Sequence, residues 1–247
     1  MKTISVSIIG FAMLALFASP LLSQPAINAS PDEIVAFLTS LRHGLRDLDP
    51  ASQTLVDRIR SNPDRFVNAI SSAAKLPTSL NDLPEQDALR RNGGALGLAK
   101  LLPVEQGVPI ARDMYLQATK LVRECETNIA KTERCPVEVK QFLTLLRGSA
   151  LDVVGSFRDP CLIPNVLDSI RDEGKGTDVI MLRYLLEVAP LQPDIRPKLD
   201  EFYNEKNSWL HKHPQLLAVL EAIDKAEAER RIERPNKRKK TEDKGDE

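Results

Sequence analysis

An all-α fold is what this sequence predicts, on three observations. Apolar residues recur at the three- and four-residue spacing of a single helix face in segment after segment. Extended apolar alternation punctuated by Asn-Gly or Asp-Gly turns is missing, so no strand of convincing length is expected. Aromatic residues make up only 4% of the chain, which leaves Leu, Val, Ile and Ala to fill the core, a palette suited to helix-on-helix packing. The 247 residues suffice for one large domain or two small ones. Lys plus Arg number 34 against 35 for Asp plus Glu, a balance that gives no reason to expect nucleic acid or an anionic membrane as partner.

The helix starts carry the element assignment. Ser30-Pro31-Asp32-Glu33 has the form of a capping box with proline at the first helical position, and Ile34, Phe37, Leu38, Leu41 and Leu45 follow on one face. Asp49-Pro50 and Asn62-Pro63 repeat the device, a side-chain acceptor followed by a residue with no amide to satisfy. The first opens a helix carrying Leu55, Val56 and Ile59, the second one carrying Phe66, Val67 and Ile70. Residues 24–76 therefore form an N-terminal three-helix segment, and the turn-rich stretch 77–84 is a linker and candidate boundary. A larger helical region over 85–234 follows. It begins with a helix weakened or bent at Asn92-Gly93-Gly94, continues with a long helix from about Val108, and has later starts at Pro136, Asp159-Pro160 and Thr177. Its last helix begins at Pro214 and stops before Pro235.

The two ends have a different character. Lys2 precedes an apolar run from Ile4 through Leu22, and Ser23 is small enough to stand before a cut, so residues 1–23 read as a secretory signal. The expected location is secreted or periplasmic; an uncleaved helix anchoring the chain in a membrane is the alternative, because the run is long enough to span a bilayer. Residues 235–247 mix the basic run Lys237-Arg238-Lys239-Lys240 with acidic residues and contain no large apolar side chain, the composition of a disordered tail. Three cysteines are present. Cys125 near the end of one helix and Cys135 at the start of the next suit a disulfide across a tight αα-hairpin, leaving Cys161 as a buried thiol.

Serial short helix pairs run from about Glu85 to Asp224. The piece Ala95-Leu96-Gly97-Leu98-Ala99-Lys100-Leu101-Leu102-Pro103 is similar to Met181-Leu182-Arg183-Tyr184-Leu185-Leu186-Glu187-Val188-Ala189-Pro190. The run from Asp159-Pro160 through Ile163-Pro164 to Asp172 resembles one helix of a HEAT repeat, a family in which an Asp-Pro start, an internal apolar-Pro step and a closing Asp mark the helix edges. The spacing of similar pieces is irregular. The resemblance implies a HEAT-like α-solenoid, with an irregular multi-helix bundle as the other form of the same prediction. HEAT-like folds mostly serve as binding surfaces, so it also implies recognition in preference to catalysis.

No catalytic constellation is legible. His43, His211 and His213 are the only histidines, and His211-Lys212-His213 lacks a completing carboxylate or cysteine pattern, so solvated surface histidines and no metal site are expected. Gly174-Lys175-Gly176-Thr177 fails as a phosphate-binding loop, because Ser169 stands where the first glycine belongs and no strand precedes it. No nucleophile elbow or His-Glu-x-x-His helix occurs, and no cofactor is indicated. Phe202, Tyr203 and Trp209 bring the one tryptophan into a short aromatic stretch, the candidate binding anchor if it does not pack between helices. The functional expectation is an exported, non-enzymatic protein-binding or scaffold module whose partner is another protein. An enzyme or transport-accessory protein with a site built from scattered polar residues is the alternative.

Overall fold

A computed structural model describes residues 50–82, 86–130, 137–172 and 178–242. The predicted signal, the Ser30 capping box, His43, Cys135, the Gly174–Thr177 turn and the last five residues lie outside the described residues. The fold is all-α. Among the described residues there are nine α-helices and no strand: α1 (Pro50–Ser61), α2 (Val67–Ala74), α3 (Gln86–Ala99), α4 (Val104–Ala130), α5 (Val137–Ser156), α6 (Ile163–Asp172), α7 (Asp178–Val188), α8 (Arg196–Asn204) and α9 (Pro214–Glu242).

The longest interface joins α4 and α5. They run antiparallel. Lys140 Nζ meets Glu126 Oε1 at 2.8 Å at one end, and Gly107 packs beside the Phe157 ring at the other. From this hairpin the other helices extend in two layers. One layer takes α3, α5, α7 and α9, each packed on the next. The other takes α2, α4, α6 and α8; α2 packs on α4, and α6 is tied to α8 by Lys198–Asp168 and Arg171–Glu205, each at 3.4 Å. Neighbours within a layer run parallel. Gly148 of α5 faces Ile180 of α7, and Gly155 faces Tyr184 and Glu187, so the contacts advance in the same direction along both helices. Gly93 facing Leu146, followed by Lys100 paired with Asp152, gives α3 and α5 the same relation. One continuous apolar core runs through both layers, from Leu55 and Ile59 to Val219 and Ile223.

The local rules read from the sequence hold at some helix starts and yield at others. Asp159 accepts from the Cys161 amide at 2.8 Å and opens a short 3₁₀ turn that leads into α6. Asn62 makes no side-chain cap; Pro63–Arg65 form a 3₁₀ turn, and the α-helix begins only at Val67. Asn92-Gly93-Gly94 does not break α3, which runs through it. Its cost is offset because Asn92 is buried and its Nδ2 donates to Ala73 O at 2.8 Å and Lys75 O at 3.2 Å, satisfying carbonyls at the end of α2. The stretch after α2 is held against α4, with Gln117 Nε2 donating to Pro77 O and Lys120 Nζ to Thr78 O.

The long central helix starts at Val104, before the expected Val108, and accommodates Pro109 in its second turn. Proline there removes one backbone hydrogen bond near an end where several amides already lack helical partners. The last helix also overruns its expected stop: α9 continues through Pro235 to Glu242. Its charged residues are strong helix formers, and Arg231–Glu227 is an i,i+4 pair just before the proline.

Glycine marks the closest approaches. A Cβ at Gly107 would sit 2.5 Å from the backbone oxygen of Ala99, whereas a Cβ at Gly97 of α3 would meet nothing within 4 Å. Gly107→Ala is therefore expected to destabilise by about 1–3 kcal/mol through overpacking. Gly97→Ala is expected to stabilise by about 0.5–1 kcal/mol by raising helix propensity. Urea unfolding of the two variants checks the pair; equal effects of the same sign would contradict the packing described.

Candidate functional site

The parallel stacking of α3, α5 and α7 builds a shared outer face. On α5, Leu145, Gly148, Ser149 and Asp152 follow the i, i+3, i+4, i+7 pattern that places residues on one side of a helix. On α7, Ile180, Arg183, Tyr184 and Glu187 repeat the same pattern opposite them. The two stripes enclose an open groove of about 290 Å³. Gly148 sets its floor, since a Cβ there would lie 2.7 Å from Ile180 Cδ1.

The groove has two chemical halves. Leu145 is 62% exposed and Ile180 38% exposed, and together they form an apolar lip. Beside it runs a ladder of ion pairs: Lys100 with Asp152, Asp152 with Arg183 at 3.9 Å, and Arg183 with Glu187 at 3.5 Å. The ladder stitches α3 to α5 to α7 and displays both signs of charge next to the apolar lip. Exposed pairs of this kind add little stability, about 0–1 kcal/mol each. Their consequence is a surface on which both signs of charge lie beside an apolar lip. Beneath the groove Tyr184 is buried; its hydroxyl donates to Asp159 O at 2.8 Å and accepts from the Leu162 amide at 3.2 Å. Burial raises its pKa above the usual tyrosine value, and the phenol stays neutral as a rivet between α7 and the start of α6.

Two further clefts lie in the other layer. One of about 550 Å³ separates α2 from α4 and is lined by Ser71, Lys75, Thr78, Asp113, Met114 and Gln117. The other, of about 230 Å³, separates α4 from α6.

The aromatic residues singled out by sequence turn inward. Phe202 of α8 is only 4% exposed and belongs to the core. Tyr203 and Trp209 are half-buried and pack against that core. The Trp209 indole spends its N–H inside the molecule, donating to Ile170 O at 3.1 Å. Its ring meets His213 edge-on, with centroids 5.6 Å apart and planes at 81°. The loop is locked by Lys212, whose φ of 51° turns its amide onto Tyr203 O at 3.0 Å. Trp209 thus fastens the α8–α9 connection to the end of α6. His211 and His213 are half-buried, where solvated surface histidines were expected; the tight loop turns the Nδ1 atom of each inward.

Cys161 is a free thiol, half-buried. Burial, then the hydrogen bond with Asp159, pushes it up to about 12, so it stays protonated and inert at neutral pH. Cys125 is fully buried near the end of α4.

Neither the Leu145–Ile180 lip nor the ion-pair ladder was legible in the sequence. The i, i+3, i+4, i+7 repeat on both helices was present, but nothing in a single chain says that the two stripes face each other. No family model, curated protein or solved structure matches the chain.

Proposed function

We propose that this chain is an exported, non-enzymatic protein-binding or scaffold module, a short HEAT-like stack of helix hairpins that takes another protein on its α3–α5–α7 face. The observation that carries the reading is the apolar lip of Leu145 and Ile180 set directly beside charges of both signs. That is the composition of a small recognition patch: apolar side chains supply contact area, and the flanking charges select the partner and its register. Helices stacked in parallel layers present such a face without enclosing it, as expected for a surface that docks a macromolecule.

The second reading, an enzyme or transport-accessory protein, draws on the cleft of about 550 Å³ between α2 and α4, whose size falls within that of small-molecule sites and whose lining includes Asp113, Lys75 and Gln117. Capture of partners by the immobilised mature chain from its native compartment separates the readings. On the leading reading, Leu145→Asp reduces capture of a specific protein at least about tenfold, since an apolar contact of this kind is worth about 1–2 kcal/mol. The exposed position lets this variant keep the wild-type melting temperature. Trp209→Ala lowers the melting temperature and affects capture only in proportion to the folded fraction. Unchanged capture by Leu145→Asp, or capture lost with Trp209→Ala while the fold stays intact, contradicts the assignment of the face.

Export and the hairpin disulfide complete the proposal. Cys125 is buried at the right end of α4, and Cys161 stands apart as a thiol, which leaves Cys135 as the partner within the chain. A bridge closing so short a loop stabilises by about 2–3 kcal/mol. Mass spectrometry of the native protein under non-reducing conditions is expected to find a terminus near Gln24 and a Cys125–Cys135 linked peptide. An intact Met1 on a soluble cytosolic product, or a link through Cys161, contradicts the respective proposal.

A further inference from the structure

We propose that the cleft between α4 and α6 is a binding site for a small carboxylate. Two helical stripes face each other across it: Thr119, Lys120 and Arg123 on α4, and Asn165, Asp168 and Ser169 on α6. Each set keeps to the three- and four-residue spacing that puts side chains on one side of a helix, so the cleft is lined by design of the sequence on both walls.

The lining is rich in donors. Thr119 and Ser169 bring hydroxyls, Asn165 an amide, Lys120 an ammonium and Arg123 a guanidinium. Asp168 is the one carboxylate among the lining residues, and its Oδ1 already faces Lys198 Nζ at 3.4 Å. Lys120 donates to Thr78 O at 3.0 Å, which occupies one of its protons and leaves its charge in place. Arg123 has no ion-pair partner among the described residues, so one cationic fork remains uncommitted at the mouth. At the base, Thr119 is 7% exposed and its Oγ1 is buried without a hydrogen-bond partner. A buried hydroxyl in that state costs about 1–3 kcal/mol relative to a satisfied one. An oxyanion entering the cleft accepts from that hydroxyl while its other oxygen meets the guanidinium.

Charge and size choose the class. Two cations, Lys120 and Arg123, against the one carboxylate of Asp168 leave one net positive charge among the lining residues, which matches a single negative charge. The volume of about 230 Å³ lies below the usual range for nucleotide- or drug-sized ligands. A short monocarboxylate fits both limits. The site is separate from the α5–α7 groove, lies in the other helix layer, and does not depend on the protein-binding reading.

The test is titration of acetate, and separately of inorganic phosphate, into the full chain at low and constant ionic strength, read by calorimetry and by ligand-observed NMR. Saturable acetate binding is expected, tighter than phosphate, with affinity reduced at least about tenfold in Arg123→Gln and in Thr119→Val. Arg123 is exposed, so its variant folds; Thr119→Val is close to isosteric and provides a second readout. In acetate-free buffer Thr119→Val is expected to melt at the wild-type temperature or above it, because the hydroxyl it removes has no partner there. Absence of saturable acetate binding would make the cleft a water-filled space and overturn the proposal. So would tighter phosphate binding, acetate affinity unchanged in both variants, or a Thr119→Val melting temperature several degrees below wild type.

Discussion

The antiparallel contact of α4 with α5 is the constraint on which the rest of the molecule depends. Both helices are rich in residues of the common core, Ala111, Met114, Ala118, Leu121 and Cys125 on α4 and Leu143, Leu146, Ala150 and Val154 on α5. Full burial of each large apolar side chain contributes about 1.5–3 kcal/mol. The flanking helices are added to either side of this pair. On one side α2 and α3 rest on it; on the other α7 packs on α5, and α9 on α7.

Both proposed sites are consequences of that arrangement. A helix buried in a two-layer stack keeps one outward stripe, and parallel neighbours align their stripes. On the α5–α7 side, glycine at 148 and 155 brings the backbones close, and the result is a shallow groove with an apolar lip. On the α4–α6 side the helices stand further apart, and polar side chains line the gap. Packing distance thus sets the chemistry of each face: close approach yields an apolar-lipped groove, separation yields a small polar cleft. Trp209 belongs to neither. Its half-buried indole closes the connection between α8 and α9 by holding the carbonyl end of α6.

The fold class was legible because helix periodicity and proline-marked starts are local properties, encoded within a few residues of where they act. Pro50 and Asp159-Pro160 behaved as their local sequence predicts. Asn92-Gly93-Gly94 did not, because the compensation comes from the end of α2, distant along the chain. Pro235 did not either, since one lost hydrogen bond is cheap within a run of strong helix formers. The candidate sites were not legible for a stronger reason. Asp152 and Arg183, or Thr119 and Ser169, become neighbours only after hairpins stack, and no feature of either segment announces the other. The aromatic stretch illustrates the converse: Phe202, Tyr203 and Trp209 stand out in sequence, yet the fold uses them for packing.

Native-state hydrogen exchange resolved by residue tests the central claim most directly. If the α4–α5 seam is the constraint that the other helices depend on, the buried amides around Ala118, Leu121, Leu146 and Ala150 exchange only through global unfolding. Those of α1, α2 and α8 then open at lower free energy while α4 and α5 remain protected. Amides of α4 and α5 exchanging earlier than those of α7 or α9 would contradict the account, and would place the organising contact elsewhere in the stack.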